Sequence, residues 1–117
     1  MYLYEPKAHA LHLVAEVDAR RVTGYQDFVD HAALDLIYVA DLAHLERVAT
    51  EQRLLFAAVS AGAIAQNIYL YAASAGLVTV VRAWLDRDAL AKALGLSSQE
   101  NVLLAQTVGY PTDASKG

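Results

Sequence analysis

The chain has no cysteine among its 117 residues, which excludes disulfides, a thiolate nucleophile and any cysteine-ligated metal. Positive charge is also sparse. Nine Lys/Arg against thirteen Asp/Glu leave a net charge of −4, and no basic cluster exceeds the pair Arg20-Arg21, so a nucleic-acid partner is not expected. The opening MYLYEPK lacks the basic start and apolar run of a signal peptide, and a cytoplasmic setting is expected. There is no glycine-rich phosphate loop, and Ser60, Ser74, Ser97, Ser98 and Ser115 have no nucleophile-elbow context. His9, His12, His31 and His44 are not spaced like a zinc-binding helix, so they read as surface histidines and no metal is expected. Asp27, Asp30 and Asp35 read as turn formers or solvated charges. By motif, the side chains hold no catalytic site.

What the chain has in quantity is apolar surface. It is 56% hydrophobic and only 19% charged, against roughly 25% charged in ordinary domains. A domain this small has proportionally more surface than a large one and should be more polar than average. The reverse composition implies a large interface with another chain. The surplus is concentrated in Leu54–Val81, LLFAAVSAGAIAQNIYLYAASAGLVTVV, which has no charge between Arg53 and Arg82. That stretch is long enough to span a bilayer. However, Gln66-Asn67 sits at its centre, Ser60 and Ser74 add polarity, and the flanks give no orientation signal. A buried core or dimer helix is the better reading, with no membrane. Gly76 divides the stretch into a helix ending near Ala75 and a β-branched strand.

Taken in order, Tyr2, Tyr4, Leu11, Leu13 and Ala15 alternate with more polar neighbours and predict a half-buried β-hairpin turning at Pro6. From 16 to 33 the chain reads as loop or short helical turn, anchored by Val22, Tyr25, Phe28 and Val29. A buried strand comes next over 34–40, and Asp41 caps a helix starting at Leu42 with Leu42, Leu45, Val48 and Ala49 on one face. The long helix starts near Thr50. Beyond it come a strand over 78–83, a short helix capped by Asp86 and ended by Gly95, and a last strand over 102–108 stopped by Gly109-Tyr110-Pro111. The expectation is one mixed α/β domain over 1–111, helices against a sheet, with a flexible tail at 112–117.

Two features invite a functional reading. Gln66-Asn67 would each cost a few kcal/mol if buried unpaired, so they read as a hydrogen-bonded pair or an interhelical contact ahead of a ligand contact. Ala58, Ala61, Gly62 and Ala65 are small and would let a second helix approach. Arg82 lies at the carboxyl end of a strand, where α/β proteins place ligands. It could meet a phosphate or carboxylate there, or pair with Asp86 or Asp88.

The run GAIAQNIYLYAASAGLVTVVRAWLDRDALAKALGL closing on NVLLAQTVGYP, together with YLYEPKAHALHLVAE, TGYQDFV and LDLIYVADL, resembles the nitroreductase-like FMN-dependent oxidoreductases, and specifically their C-terminal half. The resemblance covers Tyr2 to Pro111. It implies an α+β sandwich, a β-hairpin and further strands packed on a long central apolar helix and shorter helices. It also implies a homodimer through the Leu54–Ala75 helix with FMN at the interface. Such enzymes pass hydride from NAD(P)H through FMN to nitroaromatics, quinones or similar acceptors by ping-pong turnover. Arg82, Ala83 and Trp84 would match the segment whose backbone passes the flavin ring, the chemistry being the cofactor's. The family's N-terminal half, with an Arg-Arg-Ser-type clamp for the FMN phosphate, has no counterpart in this sequence, and Lys116 is the sole candidate for the basic residues near the family's C-terminus. Two functions are compatible with this. One is half of a flavin oxidoreductase that binds FMN weakly or with a complementing N-terminal half. The other is a truncated, non-catalytic module that dimerises through its helix.

Overall fold

The computed structural model describes residues 1–113; of the expected tail, positions 114–117 lie outside the described residues. The elements run β1 (Tyr2–Glu5), β2 (Ala10–Leu13), 3-10 turns at Arg20–Thr23 and Asp27–His31, β3 (Leu34–Asp41), a 3-10 turn at Leu42–Leu45, α1 (Thr50–Ala75), β4 (Val78–Arg82), α2 (Arg87–Leu94) and β5 (Glu100–Gly109). The fold is α+β, with two antiparallel sheets.

The main sheet has the order β3-β5-β4. β5 is laddered on both sides, so its ten residues are buried or half-buried throughout. β3 is an edge strand, which is why Leu34 and Val39 stay exposed although the sequence predicts a buried strand. The register places Asp35, Ile37, Ala105, Thr107, Val80 and Arg82 on one face, and Leu36, Tyr38, Gln106 and Val81 on the other. The register steps between Tyr38 and Val39, where Leu103 is the extra residue. The bulge brings Val102 round to the Ala105 face, and the Leu103 carbonyl accepts from Arg87 Nη2 at 2.8 Å.

The two faces are covered differently. On the Ala105 face, Leu85, Leu90, Val102 and Ala105 form the core, with Val22, Ile37, Ala91, Leu94 and Leu96 packed around them. Fully burying a side chain such as Leu90 is worth roughly 1.5–3 kcal/mol. α2 is held at its start by Asp86, whose carboxylate accepts from Ala89 N at 2.9 Å, and at its end by Gly95 in the left-handed region (φ 68°). On the Gln106 face lies α1, which touches the strands through Ala61, Ala65 and Ala72, all buried. Gly76 ends α1 at φ 70°, its N–H donating to Ala72 O.

At 100° per residue the buried stripe of α1 covers a narrow arc, and Val59, Ala63, Gln66 and Leu70 lie roughly opposite it. Among the described residues nothing covers that second face. Leu54, Leu55, Phe56, Val59, Ile64, Leu70 and Tyr71 are 49–67% exposed. Gln66 and Asn67 are exposed as well, not a buried pair. Of the small residues expected to form a seam, Ala61 and Ala65 face the chain's own sheet, leaving Ala58 and Gly62. α1 is also long and apolar enough to cross a membrane.

Three further expectations change. The hairpin β1–β2 is not half-buried. It stands outside the main sheet with Tyr2, Leu3, Tyr4, Leu11 and Leu13 exposed, tied back by the Met1 ammonium to Ala15 O at 2.9 Å. Asp41 does cap, accepting from Ala43 N at 3.0 Å, but the element it caps is a single 3-10 turn. The extended backbone at Ala49 (ψ 136°) separates that turn from α1. Among the loop anchors, Val29 is fully buried and Val22 packs on the core, whereas Tyr25 and Phe28 are half exposed.

Candidate functional site

β4 ends at Arg82, and the next two residues leave the sheet at its carboxyl end. Ala83 and Trp84 are exposed between two buried neighbours, Arg82 and Leu85. Trp84, 67% exposed, has Tyr25 beside it at a ring-centroid distance of 5.3 Å and a tilt of 45°. These three positions are therefore set by the sheet on one side and by the segment 20–31 on the other.

Beneath them the Arg82 side chain is almost wholly buried (2% exposed), as is its partner Asp35 (2%). Arg82 Nη2 lies 3.1 Å from Asp35 Oδ1 and 3.1 Å from Thr23 Oγ1, Nη1 donates to Thr23 O at 2.7 Å, and Nε donates to Thr107 Oγ1 at 2.9 Å. The Thr107 hydroxyl donates in turn to Asp35 Oδ1 at 2.5 Å. The Thr23 hydroxyl sits 2.7 Å from Arg20 O and 3.0 Å from Asp35 Oδ2, with one proton to share between them. The guanidinium carbon also lies 5.9 Å from the Phe28 ring centroid, within cation–π range. A buried ion pair survives only when its remaining lone pairs and protons are satisfied, and this one meets that condition.

This corrects two expectations. Asp35 is neither a turn former nor a solvated charge, but the buried counter-ion of the sheet. Arg82 pairs with Asp35, not with Asp86 or Asp88, and its donors are spent inside the chain. Gly24 is part of the arrangement: a Cβ there would collide with Arg82 Nη1. Gln26 Oε1, close to the same spot, is buried without a hydrogen-bond partner. The segment 20–31 is further strapped by Arg20, which bonds Asp18 at 2.6 Å and Ala32 O at 2.7 Å, and by Arg21 to Asp30 at 3.2 Å. The Arg20 hydrogen bonds lower the Asp18 carboxyl to about 2 and raise the Arg20 guanidinium in return.

On the opposite face, Tyr38 OH donates to Gln106 Oε1 at 2.5 Å, and Gln106 Nε2 donates to Ala65 O at 3.3 Å, linking β3, β5 and α1. Tyr69 OH accepts from Val81 N at 2.8 Å, quenching one free donor of the edge strand. Burial, with the nearby Tyr69 second, raises the Tyr38 phenol. These contacts position the strands against α1. His44 pairs with Asp41 at 2.9 Å and His9 with Tyr4 at 2.9 Å, both exposed. Among the described residues no three His, Asp or Glu side chains converge as a metal site. Open depressions at Asp88–Leu96 and at Ala43–Val48 share no residue with the Arg82 network.

The profile of the nitroreductase family fits residues 3–110. The chain belongs to the nitroreductase family. A candidate nitroreductase from Ralstonia eutropha JMP134 is 46% identical, with a TM-score of 0.88 over 96% of this chain and 53% of its own. A nitroreductase family protein from Streptococcus pneumoniae TIGR4 has a TM-score of 0.66 at 16% identity, over 81% of this chain and 68% of its own, and shares the fold. This nitroreductase-family chain thus spans about half the length of the Ralstonia protein. No curated protein matches it.

The residues at the strand end suit one part of an FMN and not another. Exposed backbone at Ala83 and the ring of Trp84 offer a surface to a planar heterocycle. The phosphate finds no cation in Arg82, whose nitrogens are engaged within the chain. Both the cluster's existence and Asp35's part in it escape sequence reading, because the partners lie 47 and 72 residues from Asp35 in the chain.

Proposed function

We propose that this chain is the ring-facing half of an FMN-dependent NAD(P)H oxidoreductase, reducing nitroaromatic, quinone or similar acceptors as a homodimer in the cytoplasm. The observation that carries the reading is the Ala83-Trp84 pair, exposed between the buried Arg82 and Leu85 at the carboxyl end of a core strand in a nitroreductase-family fold. FMN, when bound, supplies the hydride chemistry. Ala83 and Trp84 bear on the ring, and the Arg82 network holds them in place. The phosphate clamp belongs, on this reading, to an N-terminal half outside this sequence, and a complementing chain can supply it. The free face of α1 is taken to meet a second copy instead of lipid, because Gln66 and Asn67 interrupt it midway.

A second reading is a non-catalytic module that dimerises through α1, favoured by the engagement of Arg82 within the chain. Purified protein decides between them. The oxidoreductase reading expects a flavin absorbance band retained through desalting, or restored by added FMN, together with acceptor-dependent NAD(P)H oxidation. Colourless protein that leaves FMN fluorescence unchanged sinks it.

A further inference from the structure

The main sheet treats its two outer strands differently. On β4 the Val81 N–H donates to the Tyr69 hydroxyl at 2.8 Å. β3, the longer of the two at 8 residues, has β5 on one side and no strand on the other among the described residues. Exposed edges are ordinarily guarded by lysine, proline, a bulge in the edge strand or an inward-pointing charge. β3, LDLIYVAD, has neither lysine nor proline, and the extra residue at its bulge belongs to β5. Of its two aspartates, Asp35 is neutralised by Arg82 and Asp41 caps the turn that follows. Leu34 and Val39 stay exposed along the strand. An edge left open in this way is a template for one more strand.

We infer that β3 pairs antiparallel with β3 of a second copy, joining two three-stranded sheets into one. A two-fold interface must complement itself, and this strand does. Directly opposed residues of an antiparallel pair aim their backbone groups the same way, so self-pairing is centred on a residue. Only centring on Ile37 or on Tyr38 ladders nearly the whole strand. Centring on Tyr38 sets Asp35 against Asp41 of the other copy, like charges face to face. Centring on Ile37 sets Leu34 against Ala40, Leu36 against Tyr38, and Val39 against Asp35, whose charge Arg82 already holds. The flanks agree with that choice. Asp27 and Arg47 each stand 10 positions from Ile37. Both are exposed, and neither side chain makes an ion pair among the described residues. Pairing about Ile37 brings the Asp27 end of one copy to the Arg47 end of the other, twice over. This contact runs along the sheet edge and is separate from the free face of α1.

Hydrogen exchange of the full chain across a concentration series is the test. Within one chain β5 protects every second β3 amide, and the others face outward. The expected result is that the outward amides between 34 and 40 slow by about tenfold over a hundredfold rise in concentration, the square-root dependence of a dimer. Asp27→Lys and Arg47→Glu should each raise the concentration needed by about threefold to tenfold, since two exposed pairs are lost with each. The doubly reversed chain should return to the wild-type value. Outward amides that exchange equally fast at every concentration of the chain alone would overturn the inference, whatever other polypeptide then protects them, and would leave association through α1 standing. Protection that both single reversals leave unchanged would overturn the Ile37-centred register.

Discussion

Removing the Asp35 carboxylate leaves the Arg82 guanidinium buried and uncompensated. Asp35→Ala should therefore cost about 3–5 kcal/mol, read as a lowered urea midpoint at unchanged slope. Gly24→Ala should destabilise by about 1–3 kcal/mol, because the new methyl meets Arg82 Nη1, and the four hydrogen bonds of the guanidinium leave it little room to give. Differential unfolding of the two proteins checks this. Tyr38 gives a pH signature. Its folded pKa is raised above the ordinary value of 10.0, so the unfolded chain releases that proton first, and stability is lost as pH rises beyond about 10. Alkaline unfolding should start later in Tyr38→Phe, once its baseline loss of the Gln106 hydrogen bond is subtracted. At this scale the sequence is least informative. Asp35 looks like the loop aspartates Asp27 and Asp30 because it stands at the start of its strand, just after the loop, and only the β3-β5-β4 register sets it opposite Thr107 and next but one to Arg82.

Elements were far more legible. Asp86, Gly95 and Gly76 mark the ends of α2 and α1 because caps are local chemistry, and the β-branched run after Gly76 forms β4. The misjudged elements are those whose burial depends on distant parts. The hairpin alternates like a half-buried strand pair but is packed on nothing sizeable here, and β3 is apolar enough to be central yet lies at an edge. α1 shows the same limit in reverse. Its charge-free sequence says it is surrounded, and in one chain a single alanine stripe is covered. If a second copy covers the opposite stripe, Val59→Glu should raise the dissociation constant of the assembly by at least about tenfold, one buried apolar-to-charged change being worth well over 1.4 kcal/mol. Helical circular dichroism should hold at equal concentration, since Val59 is exposed within the chain. Sedimentation across a dilution series measures the shift.

For the whole molecule, the surface is too large for its mass. A compact monomer of 12.6 kDa exposes about 6,200 Å², whereas this chain exposes 8097 Å². The radius of gyration, 15.0 Å, likewise exceeds the roughly 13.4 Å of a compact chain of this length. The difference, about 1,900 Å², is more than twice the roughly 800 Å² each partner buries in a standard interface. The exposed apolar side chains of α1's free face and of the hairpin contribute to it. The central proposal is that this chain completes its core only against another chain. Light scattering on the purified chain at micromolar concentration tests that claim most directly: the account predicts a particle of at least twice the 12.6 kDa chain mass, and a compact 12.6 kDa monomer would contradict it.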